Sequence, residues 1–312
     1  MRVLVTGANG FVGQTMVRHL EAQGHYVIPA TRCPSVGSLA VGEIDGNTDW
    51  SVALKGCQAV VHLAARVHVM DDKDADPLSA FRQVNVEGTV NLAVQAQAAD
   101  VKRLIFVSSV KIHSEECDTP FDELMTPSPS DAYGMSKWEA EQGLARIAAS
   151  GDLEYVILRP PLIYGPGVGA NFLRLLNAVA HGAPLPFQSI NNRRSLLFVG
   201  NLCDVIELCL EAPEAKNQTF LISDGGGVST TQLIRELATG LAVRPRLFSL
   251  PPALIKALVS LTGKSKEWQR LSGSLEVNDK KIRQSLNWTP PFDFRQGIAQ
   301  TIDWYKQDRR HS

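Results

Sequence analysis

The chain has 312 residues, and its 31 Lys and Arg against 32 Asp and Glu give a formal net charge of −1. Hydrophobic residues make up 44% and charged residues 20%, which is ordinary for a globular protein and argues against a largely disordered chain. A net charge near zero disfavours nucleic acid or a membrane surface as partner, and no apolar run reaches the roughly 18–20 residues that a membrane span requires.

The cysteines indicate a reducing compartment. They are odd in number and form no C-x-x-C pair, so a disulfide framework or a structural zinc site is not expected, and no other group of residues has the spacing of a metal site. They are Cys33, Cys57, Cys117, Cys203 and Cys209. The first residues already form a strand rather than a signal peptide, so we expect a cytoplasmic protein.

The first half of the chain alternates between strand patterns and helix patterns. Strands are predicted over residues 2–6, 25–30, 59–64, 104–108 and 155–159. Helices are predicted over residues 11–23 and 81–99, and the first of them stops at Gly24, a suitable helix terminator. This order implies right-handed crossovers and a parallel sheet covered by helices on both faces. The sequence therefore predicts an α/β fold of the Rossmann type, with a doubly wound parallel sheet.

The second half has a different texture, because proline and glycine become frequent after residue 165. Helices remain plausible over residues 172–181, 201–211, 231–241 and 294–306. We expect a dinucleotide-binding Rossmann domain over residues 1–165, rejoined by a segment near 194–212, and a smaller mixed α/β substrate-binding lobe over 166–312. The chain is expected to return to the main sheet around residues 194–199.

A glycine turn after the first strand is the strongest local signal. Gly7 permits a tight turn, Gly10 lets a pyrophosphate approach the backbone, and Gly13 lets the helix lie close to the strand. The spacing is G-x-x-G-x-x-G rather than the usual G-x-G-x-x-G. Strand, turn and helix N-terminus together predict a dinucleotide site, because the first helical N–H groups attract phosphate. Asn9, Phe11 and Val12 complete the turn and are expected to contact the cofactor.

Three side chains near the predicted fourth strand carry the candidate chemistry. Tyr133 and Lys137 are four residues apart, so in a helix they share one face, and the ammonium favours a phenolate. Ser109 comes at the end of that strand, from which a hydroxyl can reach the oxygen that the tyrosine protonates. Taken alone, Ser109 is more typical of a strand-end cap.

Together with these residues, further motifs in chain order resemble the extended short-chain dehydrogenase/reductase family, particularly its nucleotide-sugar epimerases and reductases. They are H-L-A-A at 62–65, N-V-E-G-T at 85–89, R-P at 159–160, Y-G-P-G at 164–167 and L-N-W-T-P at 286–290. The last departs from the family pattern, since Asn287 replaces a glycine.

The resemblance implies roles for particular residues. Tyr133 would be the general acid/base, Lys137 would hold the nicotinamide ribose, and Ser109 would hydrogen-bond the reacting oxygen. Further cofactor contacts would come from Leu63, Ala64, Ala65 and Pro160, and substrate contacts from Asn171, Phe172, Phe187 and Arg194. Glu43 and Ile44 would contact the adenine, and a solvated Glu43 is an equal alternative. Arg194 would pair with a diphosphate, although a solvated surface arginine is the alternative. The resemblance also implies a homodimer formed through the helices after the third and fourth strands.

Departures from the family pattern reduce the number of candidate reactions and cofactors. Sugar dehydratases of this family carry an Asp-Glu pair directly after the catalytic hydroxyl residue, whereas Val110 and Lys111 follow Ser109 here, so dehydration is disfavoured. Residues 26–35 contain no acid that would bind the ribose hydroxyls of NAD(H). Thr31 and Arg32 instead suit a 2′-phosphate, which leans slightly towards NADP(H). Leu162 replaces an Asn that contacts the substrate phosphate in many members.

We therefore expect an NAD(P)-dependent oxidoreductase acting at C4 of a UDP-sugar, most specifically on a UDP-4-keto-6-deoxy-hexosamine in surface-polysaccharide synthesis. Three alternatives remain open: a UDP-hexose 4-epimerase with tightly bound NAD, a hydroxysteroid-type dehydrogenase, and a non-catalytic NAD(P)-sensing module. The polar, proline-containing residues 113–131 are expected to form a loop over the site.

Overall fold

The computed structural model of the protein describes residues 1–67, 76–250 and 265–311. The strands are β1 (Arg2–Thr6), β2 (Tyr26–Thr31), β3 (Leu39–Ala40), β4 (Ala59–His62), β5 (Arg103–Val107), β6 (Glu154–Arg159), β7 (Leu162–Tyr164), β8 (Leu196–Phe198) and β9 (Gln218–Leu221). The helices are α1 (Phe11–Ala22), α2 (Ser51–Leu54), α3 (Pro77–Arg82), α4 (Gly88–Ala98), α5 (Ala132–Ala149), α6 (Ala170–Ala180), α7 (Val199–Glu211), α8 (Thr230–Leu241), α9 (Ser265–Ser272), α10 (Lys280–Leu286) and α11 (Phe294–His311).

The predicted doubly wound parallel sheet is confirmed. Seven strands lie in the order β3-β2-β1-β4-β5-β6-β9, and every neighbouring pair is parallel. In the register, Leu4 of β1 lies opposite Ile28 of β2 and Val60 of β4. All four residues of β4 are buried, as expected for a strand that is covered on both faces.

The two faces of the sheet carry separate hydrophobic clusters. On one face, inward side chains of the strands pack with Met16 of α1 and Leu202 of α7. On the other face they pack with Leu92 of α4 and Leu144 of α5. This arrangement packs α5, which carries Tyr133 and Lys137, against β5, and Ser109 follows the end of β5 by two residues.

The helix predicted over residues 81–99 is interrupted. The structure has α3, then one π-helical segment over Gln83–Glu87, then α4. The widened turn buries Asn85, and insertions of this kind are frequent at functional sites.

The return to the main sheet near residues 194–199 is corrected by the structure. A strand does form there, but β8 pairs with β7 in a separate two-stranded parallel sheet. Pro160 and Pro161 follow β6 and have no N–H to donate, so the main sheet ends there and β7 begins a new one. The strand that joins the main sheet is β9, which pairs with β6. Helix α7 packs on α1, and the domain boundaries with the rejoining segment stay a prediction.

None of the helices within the described ranges combines the length and the apolar character required to cross a lipid bilayer.

Candidate active site

The glycine turn between β1 and α1 is closely packed. Gly7 has a φ of +68°, and a Cβ there would lie 2.8 Å from the backbone nitrogen of Ala64. A Cβ on Gly13 would lie 2.1 Å from the carbonyl oxygen of Gly7. Gly10 is the N-cap of α1, no side chain caps it, and the first turn contains no acid. A bare helix N-terminus of this kind fits the pyrophosphate of a dinucleotide.

A buried hydrogen-bond network fixes the chain beside this turn. The Thr6 hydroxyl accepts hydrogen bonds of 3.2 Å from the backbone N–H groups of Leu63 and Ala64. The same hydroxyl lies 2.7 Å from Nδ1 of His62, whose Nε2 lies 3.0 Å from the Thr89 hydroxyl. Burial lowers the pKa of His62 to about 3, so its ring is neutral and serves as a spacer between the two threonines.

The residues predicted for the adenosine end come together beyond β2. The Thr31 hydroxyl donates a hydrogen bond of 2.8 Å to the carbonyl oxygen of Cys33, so its proton is already used within the turn. The Arg32 guanidinium lies 3.6 Å from the Glu43 carboxylate, and both side chains are largely exposed. Ile44 packs close to Gly88 at the start of α4. An acid is therefore near the end of β2 in space, although it is absent from that stretch of the sequence.

The other predicted cofactor residues lie around the same edge of the sheet. Asn9 is exposed in the turn, while Phe11 and Val12 begin α1 and are partly buried. Ala65 follows β4 beside Ala64. Pro160 is buried after β6, and its carbonyl oxygen accepts the Val110 N–H at 3.0 Å. That bond ties the end of β6 to the segment that follows Ser109.

A cavity of about 340 Å³ opens beyond the carboxyl end of β5, and both Ser109 and Tyr133 line it. The Ser109 hydroxyl also accepts the Lys111 N–H at 3.2 Å and caps the short 3₁₀ turn Val110–Ile112. Ser109 therefore caps the turn after β5 and also lies beside Tyr133 in the cavity. Asp131 is the N-cap of α5 and holds the first turn of the helix that carries the tyrosine.

The surroundings of Tyr133 keep its phenol protonated. Burial raises the pKa of Tyr133, the nearby Asp131 carboxylate adds to this rise and a hydrogen bond with Ser109 opposes it, and together they give a pKa of about 12. Before a cofactor binds, Tyr133 is thus a proton donor at neutral pH. An additional positive charge is required before it can serve as a base.

Lys137 lies one turn further along α5 and is 2% exposed. Its ammonium is 3.9 Å from the centroid of the Phe106 ring. Burial lowers the pKa of Lys137 to about 7, and the Glu141 carboxylate acts in the opposite direction. A buried amine with this pKa fits a role in which ribose hydroxyls of a cofactor accept its hydrogen bonds and favour its charged form.

Three of the four predicted substrate residues meet in the cavity. Asn171, Phe172 and Arg194 line it, whereas Phe187 is buried against Trp268, with ring centroids 5.2 Å apart. The Arg194 guanidinium donates to the carbonyl oxygen of Gly273 at 2.9 Å. Arg194 is therefore held at the cavity wall and differs from the exposed Arg193 beside it.

Sequence reasoning assigned no role to several residues in or behind the site. Asn85, on the π-helical segment, donates to the Ser136 hydroxyl at 2.9 Å and also exchanges hydrogen bonds with the backbone of Arg66. Ser229 caps α8 and lines the cavity with Thr230, and the S-T-T pattern before an apolar helix is a signal that would have found them. The N-V-E-G-T motif at 85–89 marked the position of Asn85, but the sequence does not show that its side chain contacts Ser136 and the backbone of Arg66.

The segment expected to form a loop over the site is attached to the substrate side. The Cys117 and Phe121 N–H groups donate to the carbonyl oxygens of Ser274 and Glu276, each at 2.9 Å. The Glu123 carboxylate accepts the Leu221 N–H at 2.8 Å. These contacts connect residues 113–131 to β9 and to the strand-like stretch before α10.

Comparison with known proteins identifies the family of the chain. Residues 3–223 match the sequence profile described as the NAD dependent epimerase/dehydratase family. The chain is 42% identical to a UDP-glucose 4-epimerase of Vibrio cholerae, over 98% of this chain and 95% of that protein. It is 26% identical to the N-acetyl-alpha-D-glucosaminyl-diphospho-ditrans,octacis-undecaprenol 4-epimerase of Escherichia coli O157:H7, over 97% and 94%.

Solved structures share the fold. MoeE5 in complex with UDP-glucose and NAD superposes with a TM-score of 0.81 at 24% identity, over 99% of this chain and 100% of that one. The UDP-glucose 4-epimerase of Thermotoga maritima with UDP-glucose gives a TM-score of 0.79 at 21% identity, over 99% and 100%. The resemblance to extended short-chain dehydrogenases/reductases is thereby confirmed, and the chain belongs to the NAD dependent epimerase/dehydratase family.

Proposed function

We propose that the protein is an oxidoreductase acting at C4 of a UDP-sugar. One observation carries the proposal: the Ser109 and Tyr133 hydroxyls share a single cavity with the Asn171 amide and the Arg194 guanidinium. The first pair suits an oxygen that gains and loses a proton, and the second suits phosphate oxygens. The 42% identity to a UDP-glucose 4-epimerase over nearly the whole chain supports the same substrate class.

The bound nicotinamide would supply the acceptor or donor of hydride. When the C4 hydroxyl is oxidised, Tyr133 takes its proton, and on reduction Tyr133 returns a proton to the ketone oxygen. Ser109 donates a hydrogen bond to that oxygen and stabilises the negative charge that develops there. Burial raises the pKa of the Tyr133 phenol and lowers that of Lys137, so Lys137 would favour the phenolate once the cofactor's ribose hydroxyls hold its amine in the charged form.

As the overall reaction we propose 4-epimerisation, which consists of an oxidation followed by a reduction from the opposite face. The two curated epimerases that the chain resembles are the support. Such an enzyme shows no net consumption of cofactor, because the hydride removed in the first half-reaction is returned in the second.

The apolar character of the cavity wall supports a second overall reaction, the reduction of a UDP-4-keto-6-deoxy-hexosamine. Leu162, 45% exposed, replaces a polar residue of the family pattern at this wall. Ile163, Leu175 and Val228 also line the cavity, so much of it is apolar. A sugar with a methyl group at C6 would find a suitable environment there, whereas a 6-hydroxyl would lose hydrogen bonds to water.

For the cofactor we propose NAD(H). The expected lean to NADP(H) rested on Thr31 and Arg32, but the Thr31 hydroxyl is engaged with Cys33 and Arg32 lies beside Glu43. A 2′-phosphate would meet the Glu43 carboxylate as well as the guanidinium. The ribose hydroxyls of NAD(H) could instead donate to that carboxylate.

One assay distinguishes the two overall reactions. The protein is incubated with UDP-glucose or UDP-N-acetylglucosamine and, separately, with a UDP-4-keto-6-deoxy-N-acetylhexosamine and reduced cofactor. Interconversion of C4 epimers without change in nicotinamide absorbance indicates the epimerase, and stoichiometric oxidation of the cofactor indicates the reductase. Tyr133→Phe should lose about 10²–10⁴-fold in turnover in either assay while cofactor still binds. Full turnover by this variant would overturn the assignment, and failure to bind UDP would point to a hydroxysteroid-type substrate.

We also propose a homodimer formed through α4 and α5, which lie side by side after β4 and β5. Val94 of α4 is 46% exposed, an apolar side chain that a partner would cover. Sedimentation equilibrium tests the assembly, and Val94→Glu should shift a dimer towards monomer.

A further inference from the structure

Lys111 contacts both chain segments that carry the hydroxyl residues Ser109 and Tyr133. It lies two residues after Ser109, in the 3₁₀ turn Val110–Ile112, and it lines the same cavity as Ser109 and Tyr133. The sequence pattern showed only that Lys111 stands where dehydratases of the family carry an acid. Its contacts in the structure indicate a different use.

Both backbone groups of Lys111 contact the catalytic segments. Its N–H donates to the Ser109 hydroxyl at 3.2 Å, which orients that side chain. Its carbonyl oxygen packs so tightly against Gly134 that a Cβ on Gly134 would lie 2.4 Å from it. The turn after β5 therefore rests directly on the first turn of α5, next to Tyr133.

The Lys111 side chain reinforces the same junction. Its Nζ donates to an Asp131 carboxylate oxygen at 2.8 Å and to Glu115 at 2.8 Å. The other oxygen of Asp131 accepts the Gly134 N–H at 2.7 Å and so caps α5. One carboxylate thus joins the Lys111 ammonium to the backbone of the helix that presents Tyr133. The ammonium and the carboxylate are only about a quarter exposed, so solvent screens the pair weakly.

We propose that Lys111 is a positioning residue that fixes the N-terminus of α5 against the turn after β5, and so holds the Ser109 and Tyr133 hydroxyls at one reacting oxygen. This role rests on the proposed function, because it assigns a purpose to the juxtaposition of those two hydroxyls. Lys111 carries no proton to or from the sugar.

The ion pair also has an electrostatic consequence for the phenol. Asp131 and Ser109 face Tyr133, Asp131 and Glu115 face Lys111, and Lys137 lies one turn along α5. The Asp131 carboxylate raises the pKa of Tyr133. The Lys111 ammonium, 2.8 Å from that carboxylate, offsets its charge, so its removal should raise the pKa of Tyr133 further.

Four variants and one control distinguish the effect of the Lys111 charge from an effect on folding. Lys111→Met removes the ammonium and Lys111→Arg keeps a positive charge. Asp131→Asn removes the opposing charge but keeps an N-cap, because asparagine caps helices as well as aspartate does. The double variant Lys111→Met with Asp131→Asn removes both charges. Arg82→Met is the matched control, since it removes a cation bonded to Glu139 on the exposed side of the same helix.

The first readout needs no sugar substrate. Each protein is prepared with 3-fluorotyrosine and saturated with NAD⁺, and the ¹⁹F signal of residue 133 is assigned by its loss in Tyr133→Phe. Its titration midpoint should move by about one pH unit to higher pH in Lys111→Met and to lower pH in Asp131→Asn. The double variant, Lys111→Arg and Arg82→Met should stay near the unmodified protein. Unchanged midpoints in both single charge variants would overturn the proposal, even if one of them were poorly folded.

The second readout is the pH profile of sugar oxidation. In Lys111→Met, kcat at neutral pH should fall roughly tenfold, and the alkaline rise should shift with the ¹⁹F midpoint, while KM changes little. An effect on KM alone would make Lys111 a substrate contact and would contradict positioning. If the ¹⁹F midpoints shift as expected but no UDP-sugar is turned over, the proposed function fails while the coupling of Lys111 to Tyr133 stands.

Discussion

The Arg159 guanidinium and the Glu141 carboxylate form three hydrogen bonds of 2.6, 3.1 and 3.3 Å inside the protein. Arg159 is the last residue of β6, and Glu141 lies one turn of α5 beyond Lys137. The pair therefore attaches the helix that carries Tyr133 and Lys137 to the sheet. It also provides the negative charge that counteracts the effect of burial on Lys137.

The first prediction concerns this pair. Glu141→Gln leaves the Arg159 charge buried with a neutral partner, and breaking a buried pair in this way costs about 3–5 kcal/mol. Urea unfolding at pH 7 measures the loss. The double variant Arg159→Met with Glu141→Met should recover most of the stability, because no buried charge remains. Glu139→Gln, which breaks the exposed pair with Arg82 on the same helix, should change much less. Equal losses in Glu141→Gln and Glu139→Gln would contradict this account.

The second prediction concerns the free energy of burying Lys137. The unfolded chain keeps this ammonium protonated up to about pH 10.5, but burial lowers the pKa in the folded protein to about 7. Between these two pH values the unfolded state binds more protons, so this residue makes the stability rise with pH. Lys137→Met should therefore stabilise the cofactor-free protein, by on the order of a few kcal/mol at pH 6 and by less at pH 9.

Thermal unfolding at both pH values tests this, and activity should be lost throughout. The exposed Lys55→Met is the control and should leave Tm unchanged at either pH. A destabilised Lys137→Met at pH 6 would show that contacts of the ammonium outweigh its burial.

The sequence indicated the parts of the site that depend on local spacing. Gly7, Gly10 and Gly13 could be placed because turn, helix start and close packing each require glycine within seven residues. Ser109 and Tyr133 could be placed because the end of a strand and the spacing within a helix locate them. The structure brings both to one cavity.

What the sequence did not indicate depends on pairing between distant segments. No periodicity shows that β8 pairs with β7 rather than with the main sheet, since three apolar residues suit either partner. The contact of Lys111 with Asp131 spans twenty residues and exists only because the turn after β5 lies against α5. Glu43 likewise reaches Arg32 across a loop, which the composition of β2 alone could not reveal.

The third prediction concerns the glycine turn. Gly13→Ala places a Cβ 2.1 Å from the Gly7 carbonyl oxygen and 2.8 Å from the Ala8 Cα. Both are backbone atoms, so they can move only if the turn itself is distorted. Helix α1 must move away from the turn, at a cost of about 1–3 kcal/mol. Because the displaced helix N-terminus can no longer contact the pyrophosphate as closely, the affinity for the cofactor should drop by roughly tenfold to hundredfold, which calorimetry measures. Gly226→Ala, with no atom within 4 Å of its Cβ, should bind cofactor normally. Equal affinities in the two variants would refute the close approach.

The fourth prediction concerns the choice between NAD(H) and NADP(H). The Glu43 carboxylate, 3.6 Å from Arg32, would repel a 2′-phosphate and leave the guanidinium partly neutralised. Glu43→Gln should therefore strengthen binding of NADP(H) and weaken that of NAD(H), changing the ratio of dissociation constants by about tenfold, equivalent to roughly 1.4 kcal/mol. Arg32→Ala should change the ratio in the opposite direction, because it removes the only charge of this pair that attracts phosphate. Quenching of intrinsic fluorescence by each cofactor gives the constants, with Glu21→Gln on the exposed side of α1 as control. A ratio that neither Glu43→Gln nor Arg32→Ala alters would mean that the adenosine ribose binds away from this pair.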